Sequence, residues 1–378
     1  MSLPLATGDY PASSSSTPRA PLHSRRELIV HRDSGSGRTV RQLTSFRGNS
    51  HHLYFTNPGW WDNGRRLLFG SDRMGRANLF SVELESGEIT QHTDKDMPGP
   101  PRETSFLFAA VNPCRSECYF WRGEKLIAVD LLSNRERTLW SCPAAYLPNI
   151  LNVSADGLHI YSVIYQDLSD RFPVDLLNGY VGFREYCEAR PHSQIVRVAV
   201  DSRAMDVVWE EHSWIGHVNT SPVRPDLLSF CHEGPWDIVD NRIWMLDLAQ
   251  SKAWAVRRPS PGEVIGHEYW HADGVTIGYH GHRAETGGFF GFVNYDNTNV
   301  REFPAQGETG HIHSLNTNLI VGDAGAHVRL WARDGSEFGK SRLLCRHGST
   351  SKIQQLHVHP RFSPDGSKVV FTSDRTGY

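Results

Sequence analysis

Hydrophobic and polar residues alternate in short segments along most of the chain, and each segment ends at a polar or glycine-containing turn. Residues 78–90 show the pattern, with an alternating strand, the turn Glu-Ser-Gly and a second strand, and residues 124–138 repeat it. Alternation with a period of two predicts β-strands that bury one face. The pattern therefore predicts an all-β protein built from antiparallel strand pairs.

A longer repeat is superimposed on the alternation. Residues 64–75 (Gly-Arg-Arg-Leu-Leu-Phe-Gly-Ser-Asp-Arg-Met-Gly) are nearly repeated by residues 366–377 (Gly-Ser-Lys-Val-Val-Phe-Thr-Ser-Asp-Arg-Thr-Gly). Weaker copies of the turn that precedes a strand occur at residues 155–157, 225–227 and 272–274. Four short antiparallel strands in about 40 to 55 residues are typical of a β-propeller blade.

The repeats predict an all-β, seven-bladed β-propeller in residues 26–378. Six copies fit between residues 50 and 347, and two further strands follow Leu356. The segment of residues 27–44 resembles an outer strand, so we expect the N-terminal strand to close the last blade. One more strand is expected after Tyr378, which predicts either an incomplete last blade or a chain that is cut short.

Two segments depart from the repeat. Residues 1–25 are rich in proline and serine, which predicts a disordered N-terminal lead-in. Residues 167–190 lack strand alternation and predict a helix-like insertion in the third blade.

Composition limits the function classes. The chain has 378 residues, a net charge of −3 with neutral histidines and 39% hydrophobic residues, which predicts a globular protein without a nucleic-acid partner. No apolar run approaches the roughly 18–20 residues of a membrane span, and the N-terminus lacks the apolar stretch of a signal peptide. Six sparse cysteines predict reduced thiols and a cytoplasmic location. The oligomeric state is not indicated.

Candidate chemistry centres on the C-terminal motif Gln354-x-x-His357-x-His359-Pro360. In a strand, His357 and His359 would share a face, whereas Gln354 could join them only through a bend or a bulge. Two imidazoles and an amide oxygen form a plausible half-shell for a divalent cation. The alternative is a polar edge without a ligand.

Propeller geometry brings further histidines to the same place, because the first strand of each blade lines the central channel. His267 lies six residues before Asp273, and His359 lies six residues before Asp365, so the two positions are equivalent. We expect separate blades to direct imidazoles at one mouth of the channel and to form a metal-centred site. The further histidines in comparable positions are His51, His52, His217, His311 and His313.

Four blocks of sequence carry a family resemblance. They are Gly216-His217, residues 230–244 with Phe-Cys-His-Glu-Gly-Pro, residues 266–270 with Gly-His-Glu-Tyr-Trp, and the glutamine–histidine motif ending at Pro360. In order and spacing from Arg38 onward, the chain resembles the oligogalacturonate lyases. The resemblance implies a seven-bladed propeller, short and often unsaturated galacturonate oligomers as substrates, manganese as the typical metal, and a 4-deoxy-keto-uronate product.

The resemblance also implies roles for individual residues. Gln354, His357 and His359 match metal ligands, His267 matches the catalytic base, and Arg242 matches the arginine beside it. Without the resemblance, a salt bridge from Arg242 to Asp240 would be an equal interpretation.

A further metal ligand falls in a segment where this sequence departs from the family pattern. His311 is favoured because its spacing to Ser314 fits the family, and His313 is its rival. Ligand type does not distinguish manganese from other divalent cations.

Four other histidines are candidates for substrate contact. They are His217, His232, His51 and His52. The structural alternative is that His232 bridges two blades in the core and that the other three lie at the rim.

The predicted chemistry is a β-elimination, in which a base removes the weakly acidic C5 proton next to the uronate carboxylate. A divalent cation on the carboxylate spreads the developing charge, and a neutral imidazole is a suitable base near pH 7. The competing hypothesis is a non-catalytic interaction scaffold, because Ser-Asp-Arg turns also occur in translocation-associated propellers.

Overall fold

The computed structural model describes residues 23–24, 26–95, 106–175, 180–305, 307 and 309–376. The N-terminal strands are β1 (His23–Ser24), β2 (Ile29–Arg32) and β3 (Thr39–Gln42). The next strands are β4 (Ser50–His52), β5 (Trp60–Trp61), β6 (Arg66–Ser71), β7 (Asn78–Glu83), β8 (Ile89–Gln91), β9 (Ala110–Val111), β10 (Glu117–Arg122), β11 (Lys125–Asp130), β12 (Glu136–Ser141), β13 (Tyr146–Val153), β14 (His159–Gln166), β15 (His192–Ala199) and β16 (Met205–His212).

The second half of the chain continues with the same kind of element. Its strands are β17 (Ile215–Thr220), β18 (Leu227–His232), β19 (Ile243–Asp247), β20 (Lys252–Val256), β21 (Glu263–Trp270), β22 (Thr276–Arg283), β23 (Gly287–Asn294), β24 (Arg301–Pro304), β25 (Ile312–His313), β26 (Leu319–Ala324), β27 (His327–Asp334), β28 (Glu337–Phe338), β29 (Arg342–Arg346), β30 (Arg361–Phe362) and β31 (Val369–Val370). The helices are α1 (Phe183–Glu188) and 3-10 turns at Arg73–Gly75 and Gln354–Leu356.

Six antiparallel sheets form the blades of a β-propeller. Blade 1 contains β4 to β8 with β1 on its edge, and blades 2 to 5 are four-stranded sheets in chain order from β9 to β24. Blade 6 contains β25 to β29. The first strands β9, β13, β17 and β21 contact one another in succession, which places them around a common channel.

The sequence predicted seven blades, and this prediction is wrong for the described part of the chain. The described residues form six blades and two separate two-stranded sheets, β2–β3 and β30–β31. The reason is local, because β30 and β31 have two residues each and pair with each other, while β2 and β3 form a hairpin. Residues 27–44 therefore contain two strands, whereas the sequence predicted one outer strand.

The predicted insertion is confirmed, since α1 (Phe183–Glu188) lies between β14 and β15 of blade 3. The predicted lead-in of residues 1–25 lies outside the described residues, apart from His23–Ser24, which pairs with β8. None of the described helices is long and apolar enough to cross a membrane.

The repeated Asp-Gly turns explain why the sequence repeat is visible. Gly157, Gly274 and Gly366 have φ values of 71°, 64° and 69°, a region that favours glycine. The preceding aspartates accept backbone N–H groups inside the turn, as Asp273 does from Thr276 at 2.9 Å. The same backbone requirement in each blade keeps the motif recognisable.

A central hydrophobic cluster joins the blades. It takes fully buried side chains from several blades, for example Tyr161, Phe230, Phe290 and Trp331. Tyr54 and Phe55, which lie between β4 and β5, are buried in the same cluster. Side chains from separate blades and from the segment between β4 and β5 therefore pack in one core.

Candidate active site

Three predicted metal-ligating histidines meet in one place. His311 lies just before β25, and His357 and His359 lie between the turn at Gln354–Leu356 and β30. One nitrogen from each ring lies within 4.8 Å of the others. The ring centroids of His311 and His359 are 4.2 Å apart.

The route by which His357 and His359 converge differs from the predicted strand. Gln354–Leu356 forms a 3-10 turn, and the backbone N–H of His357 donates to the carbonyl of Gln354 at 3.2 Å. His359 has a φ of 45°, which is rare for a residue with a side chain. The segment that carries Gln354, His357 and His359 is therefore a turn followed by extended backbone and a left-handed residue, not the predicted strand.

The donor atoms suit a divalent cation. His359 Nε2 and His357 Nδ1 are buried without a hydrogen-bond partner among the described residues, and such atoms are rare unless they serve a function. Burial lowers the pKa of His357 to about 4 and holds that of His359 well below its ordinary value, so both rings are neutral and able to bind a cation. The site therefore fits the predicted metal.

Asp323 supports the third ring and was not predicted. Its Oδ1 accepts the backbone N–H of His311 at 2.5 Å, and its Oδ2 lies 3.5 Å from His311 Nδ1. A carboxylate behind a metal-binding histidine fixes the ring orientation and increases the basicity of the other nitrogen.

His313, the rival to His311, lies in different surroundings. Its Nδ1 accepts the backbone N–H of Phe362 at 3.4 Å, and its ring centroid is 5.2 Å from that of Tyr269. These contacts, together with the position of His311, leave His311 as the histidine of this pair that the fold brings to His357 and His359.

His267, the predicted base, lies beside the three-histidine cluster. Its ring centroid is 4.4 Å from that of His311, and it is held in a bulge where the register of β21 and β22 shifts between Gly266 and Tyr269. It has a φ of 53°, close to the 45° of His359, as expected for equivalent positions. Burial, then the neighbouring charges of His311, His280 and Arg242, lower the pKa of His267, so its imidazole is neutral.

Arg242, the other predicted catalytic residue, is 7% exposed and forms a buried ion-pair cluster. Its Nη1 donates to Glu233 Oε1 at 2.9 Å, and its Nε donates to Glu268 Oε2 at 3.4 Å. Burial lowers the pKa of Arg242, but Cys231, Glu233 and Glu268 raise it by more, so it stays charged. The sequence suggested Asp240 as a salt-bridge partner of Arg242, whereas the partners in the structure are Glu233 and Glu268.

His217 joins this ion-pair cluster from the bulge in β17. Its Nδ1 is 3.8 Å from Glu268 Oε1, and its Nε2 is 4.0 Å from Glu233 Oε2. Burial lowers the pKa of His217, but Cys231, Glu268 and Glu233 raise it by more, to about 10. His217 is therefore a buried cation next to Arg242.

The other candidates for substrate contact are engaged in different ways. Both nitrogens of His232 bond carboxylates, Glu211 of blade 3 and Asp240 of blade 4, each at 2.7 Å. This matches the inter-blade role that was the structural alternative. His52 lies against His359 with ring centroids 6.4 Å apart, whereas His51 Nδ1 bonds the carbonyl of His52 at 3.1 Å.

Tyr54 and Phe55 connect the two clusters and were missed from the sequence. The Tyr54 ring centroid is 4.9 Å from that of His359 and 5.2 Å from that of His217. The Phe55 ring stacks on His359 at 6.0 Å. The available signal was the apolar run Leu53-Tyr54-Phe55 after the His51-His52 strand, in a segment where a polar loop is expected.

Fold and site together define an all-β propeller with a histidine-rich channel suited to a divalent cation and a neutral imidazole beside it. Residues 26–342 match the sequence model of the family described as oligogalacturonate lyase. The chain belongs to the oligogalacturonate lyase family.

Individual relatives agree with this assignment. The chain is 24% identical to an oligogalacturonide lyase of Pectobacterium atrosepticum over 92% of this chain and 93% of the relative. It is 25% identical to an oligogalacturonate lyase of Dickeya dadantii, with the same coverage of 92% and 93%. Members of this family are lyases, so the comparisons do not support a non-catalytic scaffold.

Solved structures agree on the fold. An oligogalacturonate lyase in complex with manganese superposes with a TM-score of 0.83 at 22% identity, over 94% of each chain. An oligogalacturonate lyase from Vibrio parahaemolyticus gives a TM-score of 0.84 at 21% identity, over 95% of this chain and 96% of the other.

Proposed function

We propose that this chain cleaves short oligogalacturonides by β-elimination, with manganese or a related divalent cation at the channel mouth. The observation that carries the proposal is the convergence of His311, His357 and His359, with the neutral imidazole of His267 4.4 Å from His311 between ring centroids. A metal site with a base beside it is what removal of a proton next to a carboxylate requires.

The donor set accounts for the choice of an anionic substrate. Three neutral imidazoles and the amide of Gln354 would hold the cation without cancelling its charge. When bound, the cation supplies Lewis-acid stabilisation of the substrate carboxylate. Asp323 lies 3.5 Å from His311 Nδ1 and would support that ligand without binding the cation, which leaves open positions for a substrate carboxylate.

His267 is the proposed base. It takes the C5 proton, the electron pair forms the C4=C5 double bond, and the C4–O4 bond breaks. In galacturonides the C5 hydrogen and O4 lie on the same side of the ring, so the imidazolium can return the proton to the leaving O4. A single histidine would then serve as base and acid in turn.

Arg242 is proposed to help bind the substrate carboxylate and to stabilise charge that develops there. Glu233 and Glu268 hold its guanidinium in one orientation. His217 adds a second buried positive charge close by, which supports the earlier assignment of His217 to substrate binding. His52 lies near His359 but its Nε2 bonds the carbonyl of Val358 at 3.4 Å, and His51 and His232 are also engaged in internal hydrogen bonds.

We also propose that β2–β3 and β30–β31 together make up a seventh blade. β30 contacts β25 and β26 of blade 6, and the turn at Gln354–Leu356 contacts β4 of blade 1. Arg346 of blade 6 donates its backbone N–H to Asp33 at 2.9 Å, and Arg41 donates to the carbonyl of Leu84 in blade 1 at 2.6 Å. Both small sheets therefore adjoin the blades that flank a seventh position.

The sequence repeat supports the same proposal. Asp72 accepts the backbone N–H of Asn49 at 2.6 Å, and Asp374 accepts that of Thr350 at 2.7 Å, so both copies of the Ser-Asp-Arg turn make the same contact. Val40 and Val369 pack in one hydrophobic cluster, although their strands are not hydrogen-bonded to each other.

A cytoplasmic location is proposed on the chemistry of the cysteines. All six are free thiols, and Cys118, Cys142, Cys231 and Cys345 are buried. Free thiols are typical of a reducing compartment.

The function is tested with purified protein, manganese and unsaturated digalacturonate, by following the change in ultraviolet absorbance and identifying the products. We expect cleavage that depends on the metal and is lost on chelation. His267→Ala should lower kcat by about 100-fold or more while manganese remains bound. A wild-type protein without activity on any oligogalacturonide, or an undiminished rate in His267→Ala, would contradict the proposed function or the proposed base, respectively.

A further inference from the structure

His280 contacts the proposed base directly and has no role in the chemistry described so far. His267 Nδ1 lies 2.7 Å from His280 Nε2, which is hydrogen-bond distance. His280 is 9% exposed and projects from β22, the strand that pairs with the bulged strand carrying His267. The two rings therefore come from neighbouring strands of blade 5.

The two imidazoles meet edge to edge. Their planes differ by 15° and their centroids are 4.9 Å apart. Rings that stack face to face are separated by about 3.5 Å or more, so the 2.7 Å nitrogen–nitrogen distance requires contact within the ring planes. This is the geometry of an N–H···N hydrogen bond.

The carbonyl of Gly310 decides which ring donates. It lies 3.1 Å from His267 Nδ1, and a carbonyl oxygen can only accept a hydrogen bond. His267 Nδ1 therefore carries the proton, which leaves Nε2 of His267 free to act as a base. His280 Nε2 is then the acceptor, and His280 Nδ1 donates to Thr309 Oγ1 at 3.1 Å.

Two further contacts hold this arrangement in place. Trp236 lies with its ring edge-on to both imidazoles, at 5.7 Å from His267 and 6.3 Å from His280 between centroids. Thr309 and Gly310 immediately precede His311, so the segment that fixes the two tautomers also carries a proposed metal ligand.

We propose that His280 is a positioning residue for the elimination reaction. Its Nε2 accepts a hydrogen bond from the Nδ1–H of His267, and this bond keeps Nε2 of His267 unprotonated and directed at the substrate. The inference rests on the proposed function of His267. A hydrogen-bond acceptor behind a catalytic histidine selects its tautomer and stabilises the imidazolium that forms when it takes a proton.

The experiment compares two substitutions of His280 under identical conditions. His280→Leu fills the space without an acceptor, and His280→Gln places an amide oxygen near the position of Nε2. We expect His280→Leu to lower kcat by about 10-fold to 100-fold with little change in KM. His280→Gln should recover most of the lost kcat. Both variants should bind manganese with wild-type affinity and keep the wild-type circular dichroism spectrum.

A matched control comes from the same blade. His271 is also buried, at 1% exposure, and its Nε2 bonds Ser314 Oγ at 3.0 Å, away from His267. His271→Gln should leave kcat and KM unchanged.

The outcomes separate this inference from the function on which it rests. If wild type is active and His267→Ala is inactive while His280→Leu keeps its rate, the positioning role is wrong and the proposed base stands. Equal losses in His280→Leu and His280→Gln would indicate packing alone and would also overturn it. A wild-type protein without lyase activity would remove the proposed function itself.

Discussion

Asp323 contacts His311 at two points, through the backbone N–H at 2.5 Å and the ring Nδ1 at 3.5 Å. These two contacts fix the position of the His311 backbone and the orientation of its ring. Asp323 was not predicted from the sequence, and it contacts one of the proposed metal ligands.

Asp323→Asn should weaken manganese binding by about 10-fold to 100-fold, because the amide cannot supply the same negative charge behind His311. Titration calorimetry measures the change. Asp365→Asn is the control, since Asp365 lies in an exposed turn and bonds Ser363 and Ser367. Equal affinity in Asp323→Asn and wild type would contradict the proposed ligand set.

His357→Ala should lose the metal, and added manganese should restore little activity, because one of the few protein ligands is removed. Metal analysis of the purified variant by mass spectrometry provides the measurement. His327→Ala serves as control, because His327 is on β27, outside the cluster. A variant that keeps stoichiometric manganese would exclude His357 as a ligand.

Arg242→Met should lower the free energy of unfolding by about 3–5 kcal/mol, because the substitution removes Arg242 from the buried carboxylate of Glu268 and leaves it, among the described residues, only the longer contact with His217. Glu268 is 1% exposed. The double variant Arg242→Met/Glu268→Gln should lose less stability than the single variant, since it also removes the buried carboxylate that has lost Arg242. Urea unfolding followed by fluorescence tests this, and a single variant as stable as wild type would contradict it.

The charge on His217 should make stability depend on pH. Its pKa in the folded protein is about 10, above the ordinary 6.5, so its contribution is complete below pH 6.5 and is lost as pH rises toward 10. The stability difference between wild type and His217→Gln should therefore shrink over this interval, by up to about 1.4 kcal/mol per pH unit. Unfolding at several pH values measures it, and a constant difference would show that His217 is neutral in the folded state.

Phe55→Ala should lower the free energy of unfolding by about 3–5 kcal/mol, because Phe55 is 0% exposed and packs in the core that joins the blades, against the rings of His311 and His359. Thermal unfolding provides the measurement. Phe46, which is 42% exposed, is the matched control, and Phe46→Ala should have a much smaller effect. If the two variants melted at the same temperature, the channel would not depend on Phe55.

Several features followed from the sequence because they repeat. The Asp-Gly turns recur at Gly157, Gly274 and Gly366, and the shared left-handed φ makes glycine necessary at each of them. From such spacing we predicted seven blades, of which the described residues form six, together with the helical insertion in the third blade and the equivalence of His267 and His359. Each depends on local backbone geometry or on the position of a residue within its own repeat.

Contacts between repeats could not be predicted in this way. The strand bulges at His217 and His267, the 3-10 turn at Gln354–Leu356, and the pairing of His280 with His267 leave no pattern in the sequence. Alternation and turns are set by neighbours along the chain, so the sequence by itself determined the strands, the blades and the set of candidate histidines. Only the tertiary structure decided which of those histidines share a site and which carboxylate or imidazole contacts each of them. The reason is that hydrogen bonds and burial act over a few ångströms in space, regardless of separation in sequence, so they form only once distant blades meet around one channel.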